Sequence, residues 1–105
     1  SLRGLAYHHM AELTAANPAR RFGLLGKGDI AVGYDADLAL VDPDASFVVR
    51  AADSESGQGY TPFEGQELRA RVRQTYLRGE LICENGHVIG KPGGRYLARP
   101  YGLER

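Results

Sequence analysis

Asn17-Pro18-Ala19-Arg20-Arg21-Phe22-Gly23-Leu24-Leu25-Gly26-Lys27-Gly28-Asp29 carries the change of period on which the fold turns. Before it, apolar residues recur at helical spacing; after it, they come in short runs between glycines and prolines. Pro18 disfavours the helical region for Asn17, and Asn followed by Pro is the pattern of an N-cap and a first helical position. The expectation is a helix that ends at Asn17-Pro18 and a second, short helix over Pro18 to Phe22. Gly23 is its natural stop.

Upstream, Ser1 to Ala16 reads as a helix. Leu2, Ala6, Met10 and Leu13 form a stripe, with Leu5 and His9 beside it. Alanine content and the lack of β-branched residues before Thr14 support it. Downstream, Gly26, Gly28 and Gly33 punctuate a loop around one short extended piece, Asp29 to Val32. Leu38 to Val41 is continuously apolar between Asp37 and Asp42-Pro43, which predicts a buried strand. Phe47 to Arg50 predicts a second strand, and Ala51 to Gly59, small and polar, a mobile loop. Leu68 to Arg78 alternates, with Gln74 and Leu77 out of pattern. Glu80 to Cys83 follows Gly79 as a further strand, with a bulge or tight turn between. Asn85-Gly86 is the strongest hairpin signal, because both residues accept positive φ; it should pair Leu81–Cys83 with His87–Ile89. The tail from Lys91 to Arg105 is rich in Gly and Pro and reads as extended. Helix first and strands after is α+β order. The first helix carries a broad apolar side before any strand exists to cover it.

The 105 residues, 43% hydrophobic and 25% charged, allow one small domain with a thin core. Thirteen Lys and Arg balance thirteen Asp and Glu. That balance argues against a nucleic-acid or membrane-surface partner. No apolar run has the length of a membrane span, and the first ten residues lack the pattern of a signal peptide. The single Cys83 excludes an internal disulfide and fits a reducing compartment, so a cytoplasmic location is expected.

Residues that carry chemistry elsewhere are scattered here. His8 and His9 are neighbours about 100° apart on a helix, so they diverge from any shared metal. His87 lies far away beside a turn. Asp29, Asp35, Asp37, Asp42 and Asp44 form an acidic string without calcium-loop spacing; strand-flanking turns explain it. Gly23 to Asp29 has the glycines of a phosphate loop but neither its spacing nor its Lys-Ser/Thr ending. Arg69, Arg71 and Arg73 alternate along one strand face, which reads as a solvated face or a phosphate-binding one. Cys83 reads as a packed thiol. Tyr60-Thr61-Pro62-Phe63-Glu64-Gly65 ends a loop with two aromatics that either anchor it or meet a partner. Spacing alone therefore assigns no catalytic, substrate-binding or metal-ligating residue.

Two blocks of sequence are more specific. Asn17 to Leu24, then Gly26-Lys27-Gly28-Asp29-Ile30-Ala31-Val32-Gly33, Asp35-Ala36-Asp37-Leu38 and Asp42, resemble the C-terminal part of cyclic amidohydrolases: allantoinases, dihydroorotases and hydantoinases. Thr61-Pro62-Phe63-Glu64-Gly65, Val72, Thr75, Leu77-Arg78-Gly79, Asn85-Gly86 and Gly94-Arg95-Tyr96-Leu97 agree with the allantoinase–dihydroorotase branch.

The resemblance implies a parent enzyme built from a (β/α)₈ barrel and a small β-sandwich. Residues 1–23 would close the barrel with its last helix; residues 24–105 would be the C-terminal part of the sandwich and an extended tail. Asp35 and Asp37 would tie the loop before the Leu38–Val41 strand. The barrel, at about 250 residues, cannot fit in this chain. The family's metal ligands (a His-any-His pair, a carbamylated Lys, two further His and an Asp) would lie on barrel strands, and none of them transfers to a residue here. The implied activity is hydrolysis of a cyclic amide C–N bond by two divalent ions, zinc first. Allantoin is the first substrate and dihydroorotate the second, with the chain alone inactive and without a cofactor of its own. Its partners would be the N-terminal barrel portion of the same enzyme and further copies in a homo-oligomer. The competing reading is a stand-alone, non-catalytic β-rich binding module that uses the arginine face or the Tyr60–Phe63 loop. The helix stripe separates the two: a self-sufficient module covers it, and a fragment leaves it bare.

Overall fold

The computed structural model describes residues 6–99. The expected helical residues 1–5, with Leu2 and Leu5 of the stripe, and the tail residues 100–105 lie outside them. One uninterrupted helix is followed by a loop and a four-stranded antiparallel sheet in the order β1-β2-β3-β4. This is the expected α+β arrangement, with a single sheet rather than two stacked ones among the described residues.

The helix does not break at Pro18. It runs α-helical over Tyr7–Ala11, π-helical over Glu12–Ala16 and α-helical again over Asn17–Arg21. Asn17 is itself helical (φ −67°, ψ −45°) and donates its amide to Glu12 O, five residues back. The physical reason for the difference lies in that widened turn. Pro18 has no N–H to give and its ring crowds the carbonyl four residues earlier. A π turn just ahead of it opens the ladder there, so the chain continues instead of stopping. Thr14 Oγ1 donates to Met10 O at 2.8 Å within the same stretch. The stop at Gly23 is as expected: with φ +70° it lets Leu24 N–H reach Ala19 O (2.8 Å) and its own N–H reach Arg20 O (3.3 Å). This is a Schellman ending, which requires a left-handed residue.

The loop 22–37 forms turns and no strand, so Asp29–Val32 is not an extended element. Strand β1 is Leu38–Val48, β2 Glu67–Leu77, β3 Glu80–Glu84 and β4 His87–Val88. The expected strands Leu38–Val41 and Phe47–Arg50 are thus largely one strand, with Pro43 inside it. Its register against β2 jumps between Asp42 and Ser46, opposite Ala70, whose φ is +86°. A bulge is where a strand tolerates proline, since the missing N–H then removes no ladder bond. Asp44 N–H bonds the Asp42 carboxylate at 3.0 Å across that bulge.

Two tight turns close the other hairpins. Arg78-Gly79 (φ +48° and +84°) joins Leu77 to Glu80, and Asn85-Gly86 (φ +50° and +84°) joins Glu84 to His87. Both are two-residue connections with two left-handed residues. The second matches expectation, with pairing Cys83↔Val88 and Glu84↔His87 and a bond from Ile89 N to Ile82 O at 2.9 Å; Leu81 pairs with β2 instead. The expected mobile loop opens with a 3₁₀ turn, Ala51–Asp53.

Burial departs most from expectation. Among the described residues only Ala19 is a buried apolar residue. Leu40 and Val41, expected in a buried strand, are 45% and 43% exposed. The surface is 8865 Å², whereas a compact monomer of 11.4 kDa exposes about 5,800 Å². The apolar pattern is present, and the surfaces it should meet are not among the described residues.

Candidate functional site

The densest polar arrangement lies where the loop meets the sheet. Lys27, held between Gly26 and Gly28, sends its ammonium to Asp35 Oδ2 at 2.9 Å and also bonds Asp37 Oδ2. Asp37 Oδ1 accepts the backbone N–H of Arg78 at 2.8 Å. Gly79 N–H bonds Ala36 O and Asp35 N–H bonds Gly26 O, both at 2.9 Å. The Arg78 guanidinium donates to Gly93 O in the tail. The hydrogen bond from Lys27 holds the Asp37 carboxyl below the usual carboxylate range, against the cost of desolvation, and the Arg78 amide adds to the effect. The two carboxylates, Asp37 first, raise Lys27 above its ordinary value. Both charges are therefore present at neutral pH. These bonds fix the loop to the β2–β3 turn.

The other candidate residues stay apart. His8 and His9 lie exposed on the helix and His87 exposed at the β3–β4 turn. Among the described residues no three His, Cys, Asp or Glu side chains gather to hold a metal ion. The acidic string is divided among local tasks. Asp35 and Asp37 hold Lys27, Asp42 meets Arg73 Nη2 at 3.3 Å, and Asp29 Oδ1 accepts the Ile30 amide at 2.8 Å. The Asp44 amide, first, and Arg73 keep the Asp42 carboxyl below the usual range.

Gly23 to Asp29 folds back over the last turn of the helix and shares a shallow hollow of about 260 Å³ with Ala19 and Tyr34. That end carries the negative pole of the helix dipole, the wrong sign for a phosphate. The arginine face is not a row of free cations. Arg71 lies over the Phe47 ring, 5.9 Å from its centre, and Arg73 is paired with Asp42. Cys83 is a free, half-buried thiol facing Thr75 and Val88 across the ladder. Tyr60 to Gly65 closes the β1–β2 connection: Gly65 N–H bonds Val49 O and Ala51 N–H bonds Glu64 Oε1, both at 2.8 Å. The Tyr60 and Phe63 rings point outward, 69% and 56% exposed.

Apolar surface lies open beside these polar ties. Tyr7 and Met10 of the helix and Val41, Pro43 and Ala70 of the sheet line a cleft of about 350 Å³. Leu13, Leu25, Ile30 and Val32 are exposed, Val32 completely. Lys27 and Arg78 were not singled out as tie points from the sequence, although glycines flank the one and follow the other. A charged residue beside a left-handed glycine is the signal that could have found them.

Residues 2–83 match the profile of the amidohydrolase family. The chain belongs to that family. The allantoinase of Rubrobacter xylanophilus is 47% identical to this amidohydrolase chain over 95 residues, which is 90% of this chain and 21% of that protein. A dihydroorotase of Pyrococcus abyssi is 39% identical over 90 residues, 86% of this chain and 22% of that one. Among solved structures, a D-hydantoinase superposes with a TM-score of 0.83 at 35% identity, over 90% of this chain and 21% of its own. The L-hydantoinase (dihydropyrimidinase) from Arthrobacter aurescens gives 0.79 at 33%, over 85% and 20%. This amidohydrolase chain thus spans about a fifth of the length of the relatives it matches. All of these relatives are cyclic amide hydrolases, as the sequence blocks led us to expect.

Proposed function

We propose that the chain is the C-terminal part of a metal-dependent cyclic amidohydrolase that opens a ring amide, with allantoin the first substrate and dihydroorotate the second. The single observation behind this is the 47% identity to an allantoinase over nine-tenths of this chain but only a fifth of that enzyme. The bare helix face supports it against the stand-alone module: Met10 and Leu13 are 46% and 51% exposed, and the sheet leaves an open cleft beside Met10 rather than covering it.

On this reading residues 1–23 close the barrel and residues 24–105 complete a sandwich. The described residues do not fit a metal centre, because His8, His9 and His87 lie on separate or diverging positions. The two divalent ions, zinc first, and the groups that handle protons therefore belong to the remainder of the enzyme. What this chain contributes is position. Its loop is bound to the sheet through Lys27, Asp37 and Arg78 and seated on the helix end through Leu24 N–H to Ala19 O and the close approach of Gly28 to Ala15 and Ala19. A cytoplasmic homo-oligomer completes the proposal.

The test compares the chain alone with the complete natural protein that contains residues 1–105. Turnover of allantoin, dihydroorotate and a hydantoin is measured alongside bound metal. Allantoin turnover and stoichiometric zinc are expected only in the complete protein. Either property in the isolated chain would mean that the active site has been misplaced.

A further inference from the structure

The chain has two asparagines, and their neighbours place them at chemical extremes. Asn17 precedes Pro18, whose nitrogen carries no hydrogen, and Asn85 precedes Gly86, whose nitrogen has no side chain beside it. We propose that Asn85 is a site of spontaneous deamidation and that isoaspartate formed there detaches β4. In this reaction Gly86 N attacks Asn85 Cγ. The new N–Cγ bond forms as the Cγ–Nδ2 bond breaks, the Gly86 amide proton leaves with the amine as ammonia, and a succinimide ring remains. Water then opens the ring. Cleavage at Cγ gives aspartate, and cleavage at the main-chain carbonyl gives isoaspartate, with the chain running through the side-chain carbon. No atom changes oxidation state, and water is the one co-reactant.

Three features of the structure favour the site. Asn85 and Gly86 are both exposed. A side chain on Gly86 would meet nothing nearer than Arg71 Nη2 at 4.0 Å, so no neighbouring group crowds the residue that supplies the attacking nitrogen. The left-handed turn must open for the attack, and it closes the weakest part of the sheet. Strand β4 has two residues, held by the Cys83↔Val88 and Glu84↔His87 pairs. Short terminal ladders open locally at little cost. At Asn17 the same geometry is unavailable whatever the helix does, since an Asn-Pro bond cannot close the ring.

The consequence follows from the turn type. A two-residue connection sets the register of its hairpin. One extra backbone carbon at position 85 breaks that match, and a new carboxylate appears next to Glu84. The Ile89 N–H bond to Ile82 O should then be lost, exposing the outer edge of β3.

The test incubates the complete natural protein at mildly alkaline pH and maps its peptides for aspartate and isoaspartate. Parallel samples are the Asn85→Gly variant, which keeps a left-handed turn, and the wild type unfolded in guanidinium. Expected are aspartate and isoaspartate at position 85, none at position 17, none in Asn85→Gly, and lost hydrogen-exchange protection at Ile89 in the converted fraction. Conversion only in guanidinium would show that the folded hairpin protects Asn85 and would overturn the proposal. Conversion with Ile89 still protected would overturn the detachment of β4.

Discussion

The polar knot and the apolar faces of this molecule behave in opposite ways. Around Lys27, Asp35, Asp37 and Arg78, each charged group meets a partner drawn from this chain, and among the described residues no buried side-chain polar atom is left unpaired. Along the helix, the loop and the sheet, Met10, Leu13, Ile30, Val32 and Val72 lie open to water. The chain completes its hydrogen bonding but not its hydrophobic burial. That asymmetry suits a segment whose ties are internal and whose core is shared with a larger body, because polar pairs need close local geometry while apolar contacts can be supplied by any complementary surface.

The largest test of this contrast separates the two halves of the requirement. The isolated chain should associate as its concentration rises, since its large apolar residues lie exposed and only Ala19 is buried among the described residues. The free edges of the sheet offer a second route. Light scattering showing a clean monomer throughout would mean that the faces need no cover.

The next effect concerns the contact between loop and helix. A Cβ on Gly28 would lie 2.6 Å from Ala19 Cβ and 2.7 Å from Ala15 O, at a φ of +88°. Gly28→Val in the complete protein should cost about 2–4 kcal/mol through overpacking and backbone strain. Denaturant unfolding with an unchanged midpoint would show that the loop is not seated on the helix. Gly86→Val should cost at least about 1 kcal/mol, because a β-branched residue strains the left-handed turn. A midpoint equal to wild type there would argue against the hairpin.

The smallest effect sharpens the polar side. Asp37→Asn keeps an oxygen for the Arg78 amide but removes the charge that Lys27 meets, and should cost about 0.5–1 kcal/mol because the pair is partly solvated. The pH dependence has a definite sign. The Asp37 pKa is lowered in the folded state, so its contribution is complete above the ordinary value of 3.8 and is lost as pH falls through the lower folded value. The Lys27 pKa is raised, so its contribution is complete below 10.5 and is lost as pH rises through the higher folded value. Between those limits stability from this pair is flat. Asp37→Asn should therefore shrink the acid limb of the unfolding profile and leave the neutral plateau level; an unchanged acid limb would remove Asp37 from the knot.

Much of this could be read from local chemistry. Gly23 stops the helix, Asn85-Gly86 turns a hairpin and Asp37 precedes β1, because each depends on a few adjacent residues, whereas Asp42 and Asp44, expected to flank a strand, lie inside β1 at its bulge. The features that escaped depend on compensation. Pro18 is accommodated by the π turn over Glu12–Ala16 just ahead of it, and Pro43 by a bulge whose other half is Ala70 on β2. Nothing in either proline's immediate neighbourhood announces the partner. Arg78-Gly79 lacks the familiar Asn-Gly or Asp-Gly pair, so its turn reads as only one of two options. Leu38–Val41 has the composition of a covered strand, yet periodicity reports that a face wants cover and does not say where the cover comes from. The family blocks supplied the enzyme class that spacing could not.

The π turn at Glu12–Ala16 has one more consequence. Each residue of an α-helix advances about 100° around the axis, so one extra residue in a turn shifts the phase of everything beyond it. Here Tyr7 and Met10, ahead of the turn, look into the cleft with Val41 and Pro43, while Ala15 and Ala19, within and after it, receive Gly28. A regular helix could not present both patches in their present directions. The widened turn therefore works as an angular offset between two bearings on one shaft. Removing a single residue from it would keep the helix but swing one of its two contacts away from its seat.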